Sequence, residues 1–147
     1  MFNGRFHHTL DAKGRVSVPT LFRKVLETSY EEKLTVTADV DGCVVCYPPD
    51  EWRRIEEKVR SMPTIPGDVK DFLRFFFSSA VDCPLDKPGR ILLPAHLRQY
   101  AKLNRDVVMI GVMNKIEIWD ERQWNAKQDH VINNKEQISS ALGQLGL

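Results

Sequence analysis

The chain lacks most of the signatures that assign a function on sight. Its longest strongly apolar run, Val107–Met113, is seven residues, far below the roughly 20 needed to cross a bilayer as a helix. The first residues, Met1-Phe-Asn-Gly-Arg-Phe-His-His, contain no continuous apolar core of a secretory signal. Membrane and export roles are therefore not expected. Net charge is almost nil, with 21 Lys plus Arg against 20 Asp plus Glu. There is no P-loop, no dinucleotide fingerprint and no serine elbow. With these absent, no cofactor and no small-molecule substrate is expected.

Cysteine is scarce as well. Cys43, Cys46 and Cys83 are an odd number, which fits a reducing cytoplasm and not a disulfide framework. Cys43-Val-Val-Cys46 has the spacing of a zinc knuckle or redox motif. A structural zinc would need two further ligands, and only Cys83 and scattered histidines remain. A redox pair normally opens a helix, where the dipole lowers the thiol pKa, whereas this one sits in a Val-rich strand. Buried apolar cysteines are the expectation. His7 and His8 fall on opposite faces of one strand and cannot clip a metal together.

What the chain does have is an ordinary globular composition, 42% hydrophobic and 28% charged over 147 residues. That suits one compact domain or two very small halves sharing a core. Charge is unevenly spread. Residues 1–25 carry an excess of four positive charges and residues 26–50 an excess of five negative. Such a dipolar chain can turn a basic face to a polyanion while staying near neutral overall.

The sequence also repeats itself. Asp11-Ala-Lys-Gly-Arg-Val-Ser-Val-Pro19 realigns with Asp86-Lys-Pro-Gly-Arg-Ile-Leu-Leu-Pro94 at an offset of 75 residues, and Leu10 with Leu85 and Arg23 with Arg98 extend the match. Tyr47-Pro-Pro-Asp-Glu-Trp52 parallels Trp119-Asp-Glu-Arg-Gln-Trp124 at an offset of 72. Two blocks in the same order divide the chain into copies at about 1–75 and 76–147.

Each copy has a readable plan. Alternation at Phe6, His8 and Leu10, and at Val81, Cys83 and Leu85, predicts strands. Asp-x-x-Gly-Arg follows as a turn, in which Asp11 or Asp86 bonds nearby backbone N–H groups and Gly14 or Gly89 supplies a positive φ. Extended segments resume at Val16–Val18 and Ile91–Leu93. Pro19 and Pro94 then open short helices, the first burying Leu21, Phe22, Val25 and Leu26, the second Leu97, Tyr100 and Ala101. Strand pairs follow over 33–38 with 42–47 and over 107–112 with 115–119, turning at Asp41-Gly42 and Met113-Asn114.

Asp50 is a good N-cap for a helix burying Trp52, Ile55, Val59 and Met62. Ser61–Gly67 is a connector into an aromatic helix near 68–77. Its Phe72, Phe75, Phe76 and Phe77 cover too many sides for one buried stripe, so core packing and a subunit interface both stay open. A last helix starts near Asp120, anchored by Trp124. Beyond it, Ile138, Leu142 and Leu145 share a face that docks on a neighbour or frays.

The chemistry follows from the repeated turn. Asp11 and Asp86 cannot work as an acid–base dyad, because each has a nearby Arg and Lys that keep it ionised. No catalytic role is expected. The basic tip Lys13-Gly14-Arg15 presents a point charge and a guanidinium fork, able to hold a phosphate and to pair with the O6/N7 edge of guanine. One such loop binds weakly, and copies arrayed by self-association gain through effective concentration. The alternative is that Arg15 and Arg90 merely pair with Asp11 and Asp86 to fix the turns.

These residues resemble the MraZ family closely. Met1-Phe-x-Gly, Leu10-Asp-x-Lys-Gly-Arg-Val-Ser-Val-Pro19, Arg23, Tyr47-Pro and Trp52 are similar to its first half. Asp86-x-x-Gly-Arg-Ile-Leu-Leu-Pro94, Leu97-Arg98, Asn114-Lys-Ile-Glu-Ile-Trp119 and Trp124 are similar to its second. The similarity runs over about residues 1–125. It implies a β-rich α+β fold of two AbrB-like swapped-hairpin repeats, making an intrachain pseudo-dimeric double-psi β-barrel with peripheral helices.

The resemblance further implies a ring-shaped homo-oligomer that binds double-stranded DNA at tandem direct repeats upstream of the division and cell-wall gene cluster and regulates that cluster and its own gene. Such a protein would be cytoplasmic and nucleoid-associated. Arg15 is then expected to read bases and Lys13 and Arg5 to hold phosphates, with Arg90 and Lys87 as the second-turn counterparts. Lys13 becomes Pro88 and Ala12 becomes Lys87 between the two turns, which favours the first half as the main DNA contact. The rival from another class is an oligomeric scaffold that holds a protein through Phe72–Phe77 and binds no DNA.

Overall fold

The computed structural model describes residues 1–29 and 31–147. In chain order the elements are β1 (Phe2–Thr9), β2 (Arg15–Ser17), α1 (Thr20–Ser29), β3 (Lys33–Ala38), β4 (Val44–Tyr47), α2 (Pro49–Arg60) and α3 (Gly67–Ser78). Then follow β5 (Val81–Pro84), β6 (Arg90–Leu92), α4 (Ala95–Tyr100), β7 (Asp106–Met113), β8 (Lys115–Asp120), α5 (Glu121–Asn133) and α6 (Lys135–Gln144). The fold is thus α+β and rich in antiparallel sheet.

The strands pair across the two halves. Six form one antiparallel sheet in the order β1-β7-β8-β4-β3-β5, and β2 with β6 makes a separate two-stranded ribbon. Exchanging each strand for its repeat partner (β1 with β5, β3 with β7, β4 with β8) returns the same order read backwards. The strand order is therefore palindromic about the β4–β8 junction. The closed barrel that the resemblance implied is not found among the described residues. The hydrogen-bonded order ends at β1 on one side and β5 on the other.

One face of the sheet is sealed by side chains from both halves. Phe2, Phe22, Leu26 and Leu34 pack with Ile91, Leu97, Met109 and Ile118 in a single buried cluster. Burial of this apolar surface, at roughly 25 cal/mol per Å², holds the halves together. A smaller cluster joins Val45, Tyr47 and Phe76 to Trp52, Ile55, Phe72 and Phe77 beneath α2 and α3. Trp52 stacks on Phe76 with ring centroids 5.4 Å apart. Phe75 is exposed and lies 5.3 Å from the Tyr100 ring. The aromatic run is therefore mainly core.

Local expectations hold with a few shifts. Helix α2 begins at Pro49, with Pro48 at the cap position and no side-chain cap, so Asp50 sits inside the first turn and pairs with Arg53. A proline at the first helical position lacks the N–H that a cap would satisfy, which moves the start one residue upstream. Leu21 is exposed, since Phe22 and Leu26 define the inward stripe of α1. Met62 lies past the end of α2 and is also exposed.

Asp120 caps α5 by accepting from Arg122 N at 3.0 Å, and Trp124 rests 6.4 Å from Trp119. On α6, Ile138 is half-buried while Leu142 and the capping residue Leu145 are exposed. The three cysteines are free and buried. Cys46 and Cys83 enter the main cluster and Cys43 does not, because three residues along an extended chain change faces. None of the described helices is long and apolar enough to cross a membrane.

Candidate nucleic-acid interface

The first turn is organised by one carboxylate. Asp11 Oδ1 accepts from Lys13 N at 2.9 Å and Arg15 N at 2.8 Å, and Oδ2 accepts from Arg15 Nε at 2.6 Å. Gly14, at φ +86°, closes the loop by donating to Asp11 O at 3.0 Å. The second turn repeats this. Asp86 accepts from Arg90 N at 2.7 Å and Arg90 Nε at 3.0 Å, and Gly89 takes φ +85°. Its Pro88 has no N–H to match that of Lys13.

In both turns the Asp engages the arginine through Nε. No protein partner is recorded for the two terminal amino groups of either guanidinium among the described residues. Both expected roles of these arginines are therefore compatible in one geometry: the Asp fixes the turn and the outer guanidinium edge stays available. The side chain of Arg15 is 32% exposed, so it is not sequestered.

The Arg15 backbone N–H, foremost, then its side chain and the Lys13 N–H, hold the Asp11 carboxyl down at about 2. Asp86 is lowered first by the Arg90 backbone N–H, and the charge of Arg15 contributes too. A depressed carboxylate pKa stabilises the fold above the unfolded value and loses that contribution as pH falls through the folded one. Wild type is thus expected to exceed Asp11→Asn in stability above about pH 4. The difference should shrink between pH 4 and 2 and vanish below about 2, as read by thermal melts at stepped pH.

The turns feed β2 and β6, whose register pairs Arg15 with Leu92, Val16 with Ile91 and Ser17 with Arg90. Alternation along the strands sends Val16 and Ile91 into the core and leaves Arg15, Ser17, Arg90 and Leu92 on one outer face. Two guanidinium groups therefore lie diagonally on the solvent side of a two-stranded ribbon.

Each turn is also held by the other half. Leu93 N donates to Gly14 O and Val18 N to Gly89 O, both at 2.9 Å. Arg98 Nε donates to Leu93 O and Arg23 Nε to Val18 O, both at 3.1 Å. Arg98 lies so close under Gly14 that a Cβ there would come within 2.7 Å of its Nε, and Arg23 lies likewise under Gly89. The repeat alignment pairs Arg23 with Arg98 but does not show this reciprocal support. Their recurrence beside the helix-opening prolines was the available signal.

The other expected contacts are less uniform. The Lys13 and Lys87 side chains are exposed with no ion pair among the described residues. Arg5 lies on β1 opposite Ile110, with its guanidinium 5.2 Å over the Trp124 ring and donating to Gln128. None of these partners belongs to either turn, and the Arg5 side chain is exposed. Asp39, Cys43 and Glu117 bring three potential metal-ligating atoms within 4.8 Å of one another. Burial pushes the Cys43 thiol far up, keeping it protonated, and Lys115 Nζ sits 3.2 Å from Glu117 Oε2 as the local cation.

The profile of the family described as "MraZ protein, putative antitoxin-like" matches residues 1–75 and 76–143. A protein of Natranaerobius thermophilus named "Transcriptional regulator MraZ" is 45% identical over 142 residues, covering 97% of this chain and 96% of its own. A protein of the same name from Syntrophomonas wolfei is 43% identical over 147 residues, the full length of both chains. Another, from Desulfitobacterium hafniense, is 48% identical over 124 residues, 84% of each chain. By profile and by full-length identity alike, the chain belongs to the MraZ family.

Proposed function

We propose that this protein is a sequence-specific DNA-binding transcriptional regulator that engages duplex DNA through the outer face of the β2–β6 ribbon. The observation that carries this is the pair Arg15 and Arg90, diagonal on a solvent-facing ribbon with their outer guanidinium edges unpaired among the described residues. A two-stranded ribbon fits the roughly 12 Å major groove, and an arginine fork matches guanine O6 and N7. Arg15 reads bases, Lys13 beside it holds phosphate, and Arg90 with Lys87 forms a weaker second contact. The names of the relatives support a regulatory role.

Several finer points belong to the same proposal. The palindromic strand order supports a swapped-hairpin pseudo-dimer within one chain. A ring of such chains would align several ribbons with tandem direct repeats, raising affinity through effective concentration. The target would be the region upstream of the division and cell-wall gene cluster, including the protein's own gene, and the protein would act at the nucleoid. A scaffold that binds no DNA would rely on Phe72–Phe77. Phe76 is buried there and Phe72 and Phe77 pack against the same cluster, which leaves Phe75 as the exposed ring of the run.

Titration with a labelled duplex from the protein's own upstream region, beside a scrambled duplex of equal composition, tests the proposal. Preference for the upstream duplex of about 10³-fold or more is expected. Log affinity should fall with log salt at about −0.9 per phosphate neutralised. Equal affinity for both duplexes would overturn it.

A further inference from the structure

The two repeated turns stand beside clefts of different charge. Next to the first turn is a cleft of about 610 Å³, bordered by Thr9, Asp11, Ala12, Arg98, Asn104 and Arg105. Its counterpart beside the second turn is about 100 Å³ and includes Arg23, Glu27, Glu32, Asp86 and Lys87. The backbone shows which positions correspond. Leu10 N donates to Arg105 O at 2.8 Å, and Leu85 N donates to Glu32 O at 3.2 Å. Leu10 and Leu85 are repeat partners, so Arg105 in one half stands where Glu32 stands in the other. The offset of 75 that relates the turns likewise sets Lys102 against Glu27.

The first cleft is therefore open and cationic, whereas in the smaller second one Glu27 and Glu32 face Arg23 and Lys87, with Asp86 compensated by Arg90 at 3.0 Å. Asp11 is the carboxylate of the first cleft, and Arg15 already compensates it at 2.6 Å. Neither Arg98 nor Arg105 has an ion-pair partner among the described residues; Arg98 donates through Nε to Leu93 O, and the Arg105 side chain is exposed. Unpaired guanidinium groups beside a neutral Thr and Asn suit a phosphodiester, which accepts hydrogen bonds and carries one negative charge.

We infer that the cleft between the first turn and Arg98–Arg105 is a DNA backbone-phosphate site, with Arg105 as its phosphate ligand. This rests on the ribbon being the DNA-facing surface. It assigns Arg105, from the second half of the chain, to the contact made by the first.

The test uses the full chain with the labelled upstream duplex and its scrambled partner at salt concentrations of about 50 to 200 mM, a range over which phosphate contacts are resolved. Arg105→Gln should weaken binding to both duplexes by the same factor. Its salt dependence should be shallower by about 0.9 for each engaged subunit, so about 3.5-fold less affinity is lost across that range per subunit. Arg105→Lys should retain the wild-type slope, and Glu32→Gln should change neither slope nor affinity. Thermal melts should show all three folded, since both side chains are exposed.

An unchanged slope in Arg105→Gln overturns the inference, as does a loss in Arg105→Lys equal to that in Arg105→Gln. So does a response to Glu32→Gln matching that to Arg105→Gln. If wild type prefers the upstream duplex and Arg15→Ala abolishes that preference, those results strike the cleft alone and spare the ribbon. A wild type that binds neither duplex overturns both.

Discussion

Arg15→Ala is expected to erase the preference for the upstream duplex over a scrambled one while leaving the mass of the assembly unchanged. A good bidentate arginine–guanine pair discriminates by about 1–3 kcal/mol, or roughly 5- to 150-fold for each engaged copy, and tandem sites multiply the effect. The residue is placed for such a role by Asp11, which holds Nε at 2.6 Å and orients the remaining edge outward. Arg15→Lys keeps the charge but loses the fork, so residual, salt-sensitive and indiscriminate binding should remain. Fluorescence anisotropy on the two duplexes, with light scattering for mass, reads both parts. Retained discrimination in Arg15→Ala would remove base reading from this turn.

The largest stability effect should come from Gly111→Ala. A Cβ at that position would meet Asn3 N and Phe2 C at 2.6 Å and Asn3 Cα at 3.0 Å. These are backbone atoms of the neighbouring strand and cannot swing aside as a side chain would. Strand β1 would have to lift from β7, disturbing a register that runs from Phe2 opposite Met113 to Thr9 opposite Asp106. It would also pull Phe2 away from Phe22, whose ring lies 5.5 Å distant. A loss of about 2–4 kcal/mol is expected, or a melting temperature lower by roughly 5–15 °C. Gly143→Ala, with nothing within 4 Å of the added carbon, is the control and should be neutral or slightly stabilising. Matching melts for the two variants would show that β1 tolerates displacement.

These two cases mark what was legible in the sequence. The repeated Asp-x-x-Gly-Arg named its own geometry, because a carboxylate, a residue free to take positive φ and a basic residue at that spacing have few ways to satisfy one another. The inward face of β2 and β6 was likewise readable from Val16 and Ile91. Gly111 was not. Within the apolar strand 107–113 nothing local separates a glycine tolerated from one demanded by a neighbouring backbone that an added Cβ would meet at 2.6 Å.

Long-range pairing was the main thing hidden. Every strand of one half finds partners in the other, so register depends on pairings as distant as Phe2 with Met113, and the closed barrel expected from resemblance is not found in the strand order of the described residues. The service of Arg23 and Arg98 as supports was invisible for the same reason. Counting charges over residues 26–50 registered acidity without showing that Glu27 and Glu32 line one particular cleft. Asp50 failed as a cap because a proline next to it claimed the helix start.

Joining both copies in one polypeptide has a consequence for evolution and for engineering. Two identical half-length chains would be obliged to display the same residue at either end of their dyad, so any improvement at one tip would be imposed on its twin. Covalent linkage lifts that obligation: one tip can specialise while its sibling is retired to a supporting part, and swapping Arg105 with Glu32 is the direct way to ask whether the division of labour can be reversed.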